Sequence, residues 1–384
     1  MDTRRDDLAL LVAMFVLMAG TGVVFPLLAE LQEAHHLPTY GLGLIAAGPF
    51  FTGFVAQIGL SRLGDRGHAR ALMIGGLIVG FLSLLAMAIC SSLWDFVLAR
   101  SIAGFAIGAF LPAARASAAG DGRTDVAARL GRLAGAELFG LMVGPVAGAA
   151  VFSVTGLTET FVVFGVVGLF LTMLVGPRLL ARPGRPPSAP RPVLRDLLVQ
   201  RAVIGALLLV VAIEFPVGMF ESMWARYLTD RGATSLFVGL SVTTFALPFI
   251  LLAARGGRFA DRVGPARAAA FGSLAAAPII AAYGWAASPV VIAGLAVVEA
   301  CFQAVAFPGA RAAMVRACPV TLVATGQGIA GGAGLLATGG AALMSPLVYE
   351  AAGPAAMCAT VAGFVVVFVV GALIIGRERN PALV

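Results

Sequence analysis

Twelve stretches of this chain stay apolar for about 20 residues, at roughly 8–29, 40–60, 71–91, 94–114, 131–152, 161–178, 202–222, 235–254, 268–287, 290–309, 320–345 and 355–376. A helix rising 1.5 Å per residue needs about 20 such residues to cross a hydrocarbon layer about 30 Å thick. The runs are rich in Leu, Val, Ala, Phe and Gly, and none alternates as a barrel strand would. Hydrophobic residues make up 60% of the chain and charged ones 12%, with a mean hydropathy of +0.99. A soluble domain of 384 residues needs far more charge to cover its surface. The expected fold is an all-α membrane protein of twelve transmembrane helices. The first run, behind Arg4 and Arg5, is too long for a signal-peptide core and is expected to remain as a span.

The chain also repeats itself. Arg62, Asp65 and Arg66 recur as Arg258, Asp261 and Arg262, each 196 positions later. The same offset carries Gly43-Leu44 onto Gly239-Leu240, and Pro112 and Arg115 onto Pro308 and Arg311. One constant offset over some 70 residues marks a duplicated unit. Between the copies, residues 177–201 hold six prolines and a series of arginines. That density of proline forbids a continuous helix, and the basic charge suits an anionic inner leaflet. The expected organisation is a six-helix bundle over 1–176, a cytoplasmic Pro/Arg-rich linker over 177–201 and a second six-helix bundle over 202–384.

The net charge is +7, and all 26 basic residues are Arg. Their placement argues against a nucleic-acid site. In a twelve-span layout Arg4, Arg5, Arg62 to Arg70, Arg115 to Arg132, Arg178 to Arg201, Arg255 to Arg267, Arg311, Arg316, Arg377 and Arg379 share one side. The other side holds Arg226 and Arg231. By the positive-inside rule the Arg-rich side is cytoplasmic, and both termini lie there. Cys90, Cys301, Cys318 and Cys358 lie in or beside apolar runs with no C-x-x-C spacing, and read as reduced, buried hydrophobes. His35 and His36 read as solvated loop residues. No metal or cofactor is expected.

The repeated charged turn carries a family resemblance. Gly257-Arg258-Phe259-Ala260-Asp261-Arg262-Val263-Gly264 resembles the loop G-x-L-x-D-R-x-G-(R/K)-(R/K) of the major facilitator superfamily. The first copy, Ser61 to Arg70, is looser, with Ser61 and His68 where that family has Gly. The resemblance implies two six-helix bundles and a cytoplasmic gating motif, here Asp65, Arg66 and Arg70 in one copy and Gly257, Asp261, Arg262 and Gly264 in the other. Arg100-Ser101-Ile102-Ala103-Gly104 resembles the family's R-x-x-q-G motif, associated with proton coupling. The other reading of Arg100 is snorkelling to the interface with Asp95 as partner. Gly131, Gly140, Gly144, Pro145 and Gly148 match the antiporter motif g-x8-G-x3-G-P-x2-G-G except at Ala149, and within the family that motif marks exporters. Its physical content is a smooth Gly face for close helix packing, with a proline that re-aims the helix.

Two acids lie deep in apolar runs. Glu214 is about 12 residues into the seventh run, and Glu299 is near the middle of the tenth with Gln303 one turn on. An ionisable group at that depth is a functional candidate by default. Glu214, Glu299 and Arg100 are the proton-coupling candidates. Glu221, two turns beyond Glu214, either pairs with Arg226 or acts on substrate. Glu137, in the fifth run, belongs either to a gate or to the interface. Phe25, Glu221, Trp224 and Gln303 are the candidate cavity residues.

The resemblance implies a secondary transporter exporting small lipophilic or drug-like molecules in exchange for protons, by alternating access. An importer or uncoupled facilitator of sugars or metabolites, and a lysolipid translocator, are the alternatives. No G-x4-G-K-[ST], H-E-x-x-H or G-x-S-x-G motif occurs, so neither ATP drive nor enzyme chemistry is expected. The expected partners are a small-molecule substrate, protons and the bilayer of a bacterial plasma membrane, with the chain a monomer.

Overall fold

The computed structural model describes residues 3–63, 67–119, 126–179, 197–319 and 322–376. Every regular element among them is helical. α1 (Thr3–Val23), a 3-10 turn (Phe25–Leu27) and α2 (Leu28–Ala34) come first. α3 (Thr39–Leu63), α4 (Ala69–Met87), α5 (Leu93–Ala119), α6 (Val126–Thr155) and α7 (Leu157–Val175) follow. The second copy supplies α8 (Arg201–Thr229), α9 (Ser235–Val263), α10 (Pro265–Tyr283), α11 (Pro289–Ala317) and α12 (Val323–Ile375).

Ten helical stretches among the described residues are long and apolar enough to cross a membrane, the first being Asp7–Ala34 across α1 and α2. α9 makes an eleventh. Its parts Ser235–Phe249 and Ala254–Val263 meet at 47°, and Pro248 beside the bend removes a backbone donor. The twelfth lies within α12, where Gly353 at φ 81° and ψ 178° interrupts the helix ahead of Pro354. Only Gly enters that region of φ without a steric cost. Counted with α12 divided at Gly353, the described residues hold apolar helical stretches in the number that the apolar runs predict.

The duplication is built into the helices. α3 and α9, α4 and α10, and α5 and α11 begin at Thr39 and Ser235, Ala69 and Pro265, and Leu93 and Pro289, each pair 196 residues apart. Close contacts repeat as well. A Cβ at Gly76 would lie 2.8 Å from the carbonyl oxygen of Ala106, and one at Gly272 would lie 2.6 Å from that of Phe302. Both members of that contact move by the same offset, so glycine sets the α4–α5 and α10–α11 spacing in the same way.

By contact density the chain forms two compact units, Met1–Ser188 with Ser222–Thr243, and Ala189–Glu221 with Thr244–Val384. The core of the first is built on Met14, Leu17, Met73, Leu77, Phe81 and Phe110. The end of α8 and the start of α9 belong to this unit. Arg226 bridges Glu33 at 3.1 Å and Asp230 at 2.8 Å, and the Ser235 hydroxyl donates to Glu30 at 2.5 Å. The Thr243 hydroxyl donates to the carbonyl oxygen of Met142 at 2.8 Å.

Candidate coupling site in the membrane-spanning helices

Glu214 is the fourteenth of the 29 residues of α8, half-way along a spanning helix. Its Oε1 accepts a hydrogen bond from Nη2 of Arg311 on α11 at 2.9 Å, with side chains 18% and 32% exposed. A charge at this depth is tolerated only with a partner or a wet cavity, and Arg311 is the partner. α12 completes the site. A Cβ at Gly334 would lie 3.0 Å from Cγ of Glu214, so glycine leaves room for the acid. The Thr338 hydroxyl donates to the Glu214 carbonyl oxygen at 3.0 Å, and Gln327 Nε2 donates to that of Arg311, also at 3.0 Å. The Arg311 guanidinium carbon stands 5.3 Å from the centroid of the Phe307 ring.

Glu299 sits differently. It is wholly buried between α10 and α11. The hydroxyl of Tyr283, the last residue of α10, donates to its Oε2, and Gln303 Nε2 donates to its Oε1 at 3.2 Å. The Tyr283 ring meets that of Phe220 edge-on, with centroids 6.0 Å apart. Two neutral donors thus hold Glu299, where a cation holds Glu214.

In the first unit Arg100 is 6% exposed and borders a small cavity with Thr21, Gly80, Phe81, Ser83 and Ala103. Asp95 accepts hydrogen bonds from the backbone N–H groups of Ser92 at 2.9 Å and Ser91 at 3.4 Å, at the start of α5. Asp95 thus caps its own helix, and Arg100 is buried. Gly104, next in that motif, packs α5 on α3, since a Cβ there would lie 2.2 Å from the carbonyl oxygen of Pro49.

The glycines of α6 are used one by one. Cβ atoms at Gly140, Gly144 and Gly148 would lie 2.5, 2.3 and 2.9 Å from the carbonyl oxygens of Phe15, Ala19 and Val23 on α1. Gly131 faces open space and takes no part in this packing. α6 runs unbroken through Pro145. A Cβ at Gly239 of α9 would lie 2.8 Å from the carbonyl oxygen of that proline.

Of the gating motif, Gly264 at φ 98° turns the chain from α9 into α10, with Pro265 at the first helical position. Arg316 donates to Asp261 at 3.4 Å, both exposed, while Gly257 faces open space and Arg262 lies in the last turn of α9. Asp65 and Arg66 lie outside the described residues, and Arg70 donates to the carbonyl oxygen of Pro177 at 3.3 Å. In the first copy the positive φ falls on Gly67, at 89°, while His68 has φ −91°. The left-handed residue lies one position earlier than in the second copy, which answers the missing Gly at 68.

The candidate cavity residues are divided between the two units. Phe25 and Trp224 belong to the first unit, and Glu221 and Gln303 to the second. Phe25 and Glu221 are half-buried, and Trp224 is buried with its Nε1 donating to the Ser241 hydroxyl at 2.9 Å. Arg311 and Tyr283 were not among the candidates, although both hold candidate acids. Nor was Arg115, whose Nη2 donates to both carboxylate oxygens of Glu137 at 3.2 Å. The signal for Arg311 was available: a basic residue six positions inside the end of a spanning helix, deeper than Arg316 in its last turn. The Cys90 thiol, between α4 and α5, is pushed up to about 11 by burial and by the charge of Asp95.

The helix order, the repeated charged turn and the glycine-faced α1–α6 joint all point to one family. The family model of the Major Facilitator Superfamily matches residues 10–225, more than half of the chain. The chain belongs to the major facilitator superfamily. It is a multi-pass membrane protein of a family of transporters. A stretch of 170 residues is 31% identical to the multidrug resistance protein MdtG of Serratia proteamaculans (strain 568), covering 42% of this chain and 41% of that protein. The match thus spans about two-fifths of that relative's length. Among solved structures, a bacterial homolog of the human lysosomal transporter Spinster, inward-facing and unoccupied, has a TM-score of 0.76 at 16% identity, covering 97% of this chain and 95% of that one. The nucleoside transporter NupG has a TM-score of 0.74 at 14% identity, covering 97% and 100%. At such identities these likenesses establish the fold alone.

Proposed function

We propose that this transporter exports small lipophilic, drug-like molecules in exchange for protons, with both termini in the cytoplasm of a bacterial cell. The observation that carries the reading is Glu214, a carboxylate at the middle of a spanning helix, partly accessible and held by a cation. The similarity of part of the chain to MdtG, a multidrug resistance protein, supports the substrate class. The antiporter motif supports the direction.

In this reading Glu214 takes up a proton in one state of the transporter and gives it up in another. Protonation removes the charge that binds Arg311, so the α8–α11 contact weakens and the balance between states shifts. Proton and substrate must prefer different states, since a ligand that binds both states equally shifts neither. Glu299 and Arg100 are secondary candidates. Neutral donors surround the first, and the second lies among the helices of the first bundle.

The test is proton movement in liposomes loaded with a trapped pH dye, under an imposed gradient, with a panel of lipophilic cations, neutral drugs and sugars. At least one lipophilic compound is expected to release protons through the wild type and not through Glu214→Gln. Substrate movement with no proton signal in either protein would replace this reading with an uncoupled facilitator.

A further inference from the structure

The two copies place an Arg at the same point, three residues after a proline inside a spanning helix: Arg115 after Pro112, and Arg311 after Pro308. Each holds a glutamate, but not an equivalent one. Arg115 takes Glu137 from α6, with side chains 51% and 21% exposed. The position equivalent to Glu137 in the second copy is Ala333, beside Gly334. There Arg311 takes Glu214 from α8, whose equivalent in the first copy is the buried Met18. In the second copy α12 thus has no acid at this position and carries glycine beside it, and the Arg pairs instead with an acid of α8 at mid-depth.

We propose that Arg311 is a positioning residue that sets the pH at which Glu214 takes its proton, and that Gly334 is the notch that lets the carboxylate reach it. The proposal rests on the reading of Glu214 as the proton carrier. The acid is the anchored member of the pair. Its backbone carbonyl is tied to Thr338, and its Cγ occupies the space that a Cβ at Gly334 would crowd. Arg311 comes from across the interface on a long side chain, with its backbone held by Gln327 and its head near Phe307. The groups facing Glu214 are Arg311 from α11, with Gly334 and Thr338 from α12, and Glu221 follows two turns on along α8 itself. Arg115 and Glu137 form a more exposed pair, with side chains 51% and 21% exposed, where screening leaves less to couple.

The test needs no transported compound. Purified full-length protein in liposomes is titrated with protons alone, and the carboxyl band is followed by infrared difference spectroscopy, with Glu214→Gln assigning the band. Removing a cation in contact with a carboxylate favours its neutral form by about one to three pH units. The midpoint in Arg311→Gln is therefore expected about one to three units above wild type, a ten- to thousand-fold change in the proton concentration needed. Arg311→Lys, which keeps the charge, should move it less. Gly334→Ala should move it in the same direction by a smaller amount, while Gly331→Ala, which meets nothing within 4 Å, and Arg115→Gln leave it in place. A Glu214 band whose midpoint ignores Arg311→Gln overturns the positioning role while leaving the carrier role standing. If Glu214→Gln removes no titrating band, the carrier reading falls as well. Should Arg311→Gln not fold, the Lys and Gly334→Ala variants decide the question by the same midpoint.

Discussion

The joint between α1 and α6 and its counterpart between α8 and α12 solve one packing problem in two ways. Both have a glycine on the first helix of their bundle. Gly22 faces Pro145, where a Cβ would lie 2.9 Å from the proline Cδ, and Gly218, 196 residues on, faces the equivalent Ala341 at 2.7 Å. Beyond that they part. α6 adds Gly140, Gly144 and Gly148, and its backbone lies directly on α1. At the equivalent positions α12 has Leu336, Gly340 and Met344, and a Cβ at Gly340 would meet nothing within 4 Å. There the close approach comes from Gly218, where a Cβ would lie 2.1 Å from the carbonyl oxygen of Thr338, and Gly334 is set against the side chain of Glu214. Both joints are closed by backbone on backbone, the first through three glycines of α6 and the second through Gly218 of α8, while α12 adds a notch at Gly334 that leaves room for Glu214.

This contrast makes its largest prediction at Gly144 and Gly340. Gly144→Val should destabilise the protein by at least ~1–3 kcal/mol, the usual cost of forcing volume into a packed interface. Gly340→Val should stay within ~0.5 kcal/mol, as substitutions without such contacts do. Thermal unfolding in detergent, followed by the loss of monodisperse protein, measures both, and equal losses would break the comparison. A middle-sized effect is expected at Thr338→Val, which removes the hydroxyl bound to the Glu214 backbone at a cost of about 0.5–1.5 kcal/mol. Arg226→Ala, at the part-buried bridge to Asp230 and the exposed Glu33, should cost about 1 kcal/mol, and less at high salt. The smallest effect is at the α4–α5 turn. With its thiol pushed up to about 11, Cys90 should react slowly with maleimide at pH 7 and faster as pH rises, since the thiolate is the nucleophile. Asp95→Asn removes a charge that disfavours the thiolate and should quicken the reaction. Equal rates in the two proteins would mean that Asp95 does not act on the thiol.

Much of the scaffold was legible in the sequence because it follows from period and length. Apolar runs long enough to cross a bilayer become helices, and the constant offset reappears in the helix starts. The last two spans read as separate runs although the helix between them breaks only at Gly353. The first charged turn was less legible, because the offset assigns its left-handed residue to His68 while the backbone uses Gly67. That shift costs nothing in sequence spacing and leaves no trace in it. Glu214 stood out by depth alone. Its partner did not, since a contact between α8 and α11 depends on how three helices pack, and Arg311 could be matched to Arg115 but not to an acid. Tyr283 was overlooked for the same reason: a tyrosine at a helix end is ordinary until the next helix presents Glu299 to it.

The account stands most directly on proton release driven by a transported compound, compared between Glu214→Gln and Glu137→Gln in the same liposomes. These two acids pair with repeat-related arginines, so the experiment asks whether coupling resides in one copy. The predicted result is loss of proton release by tenfold or more in Glu214→Gln, with release within about twofold of wild type in Glu137→Gln. Equal loss in both, or loss in Glu137→Gln alone, would contradict it.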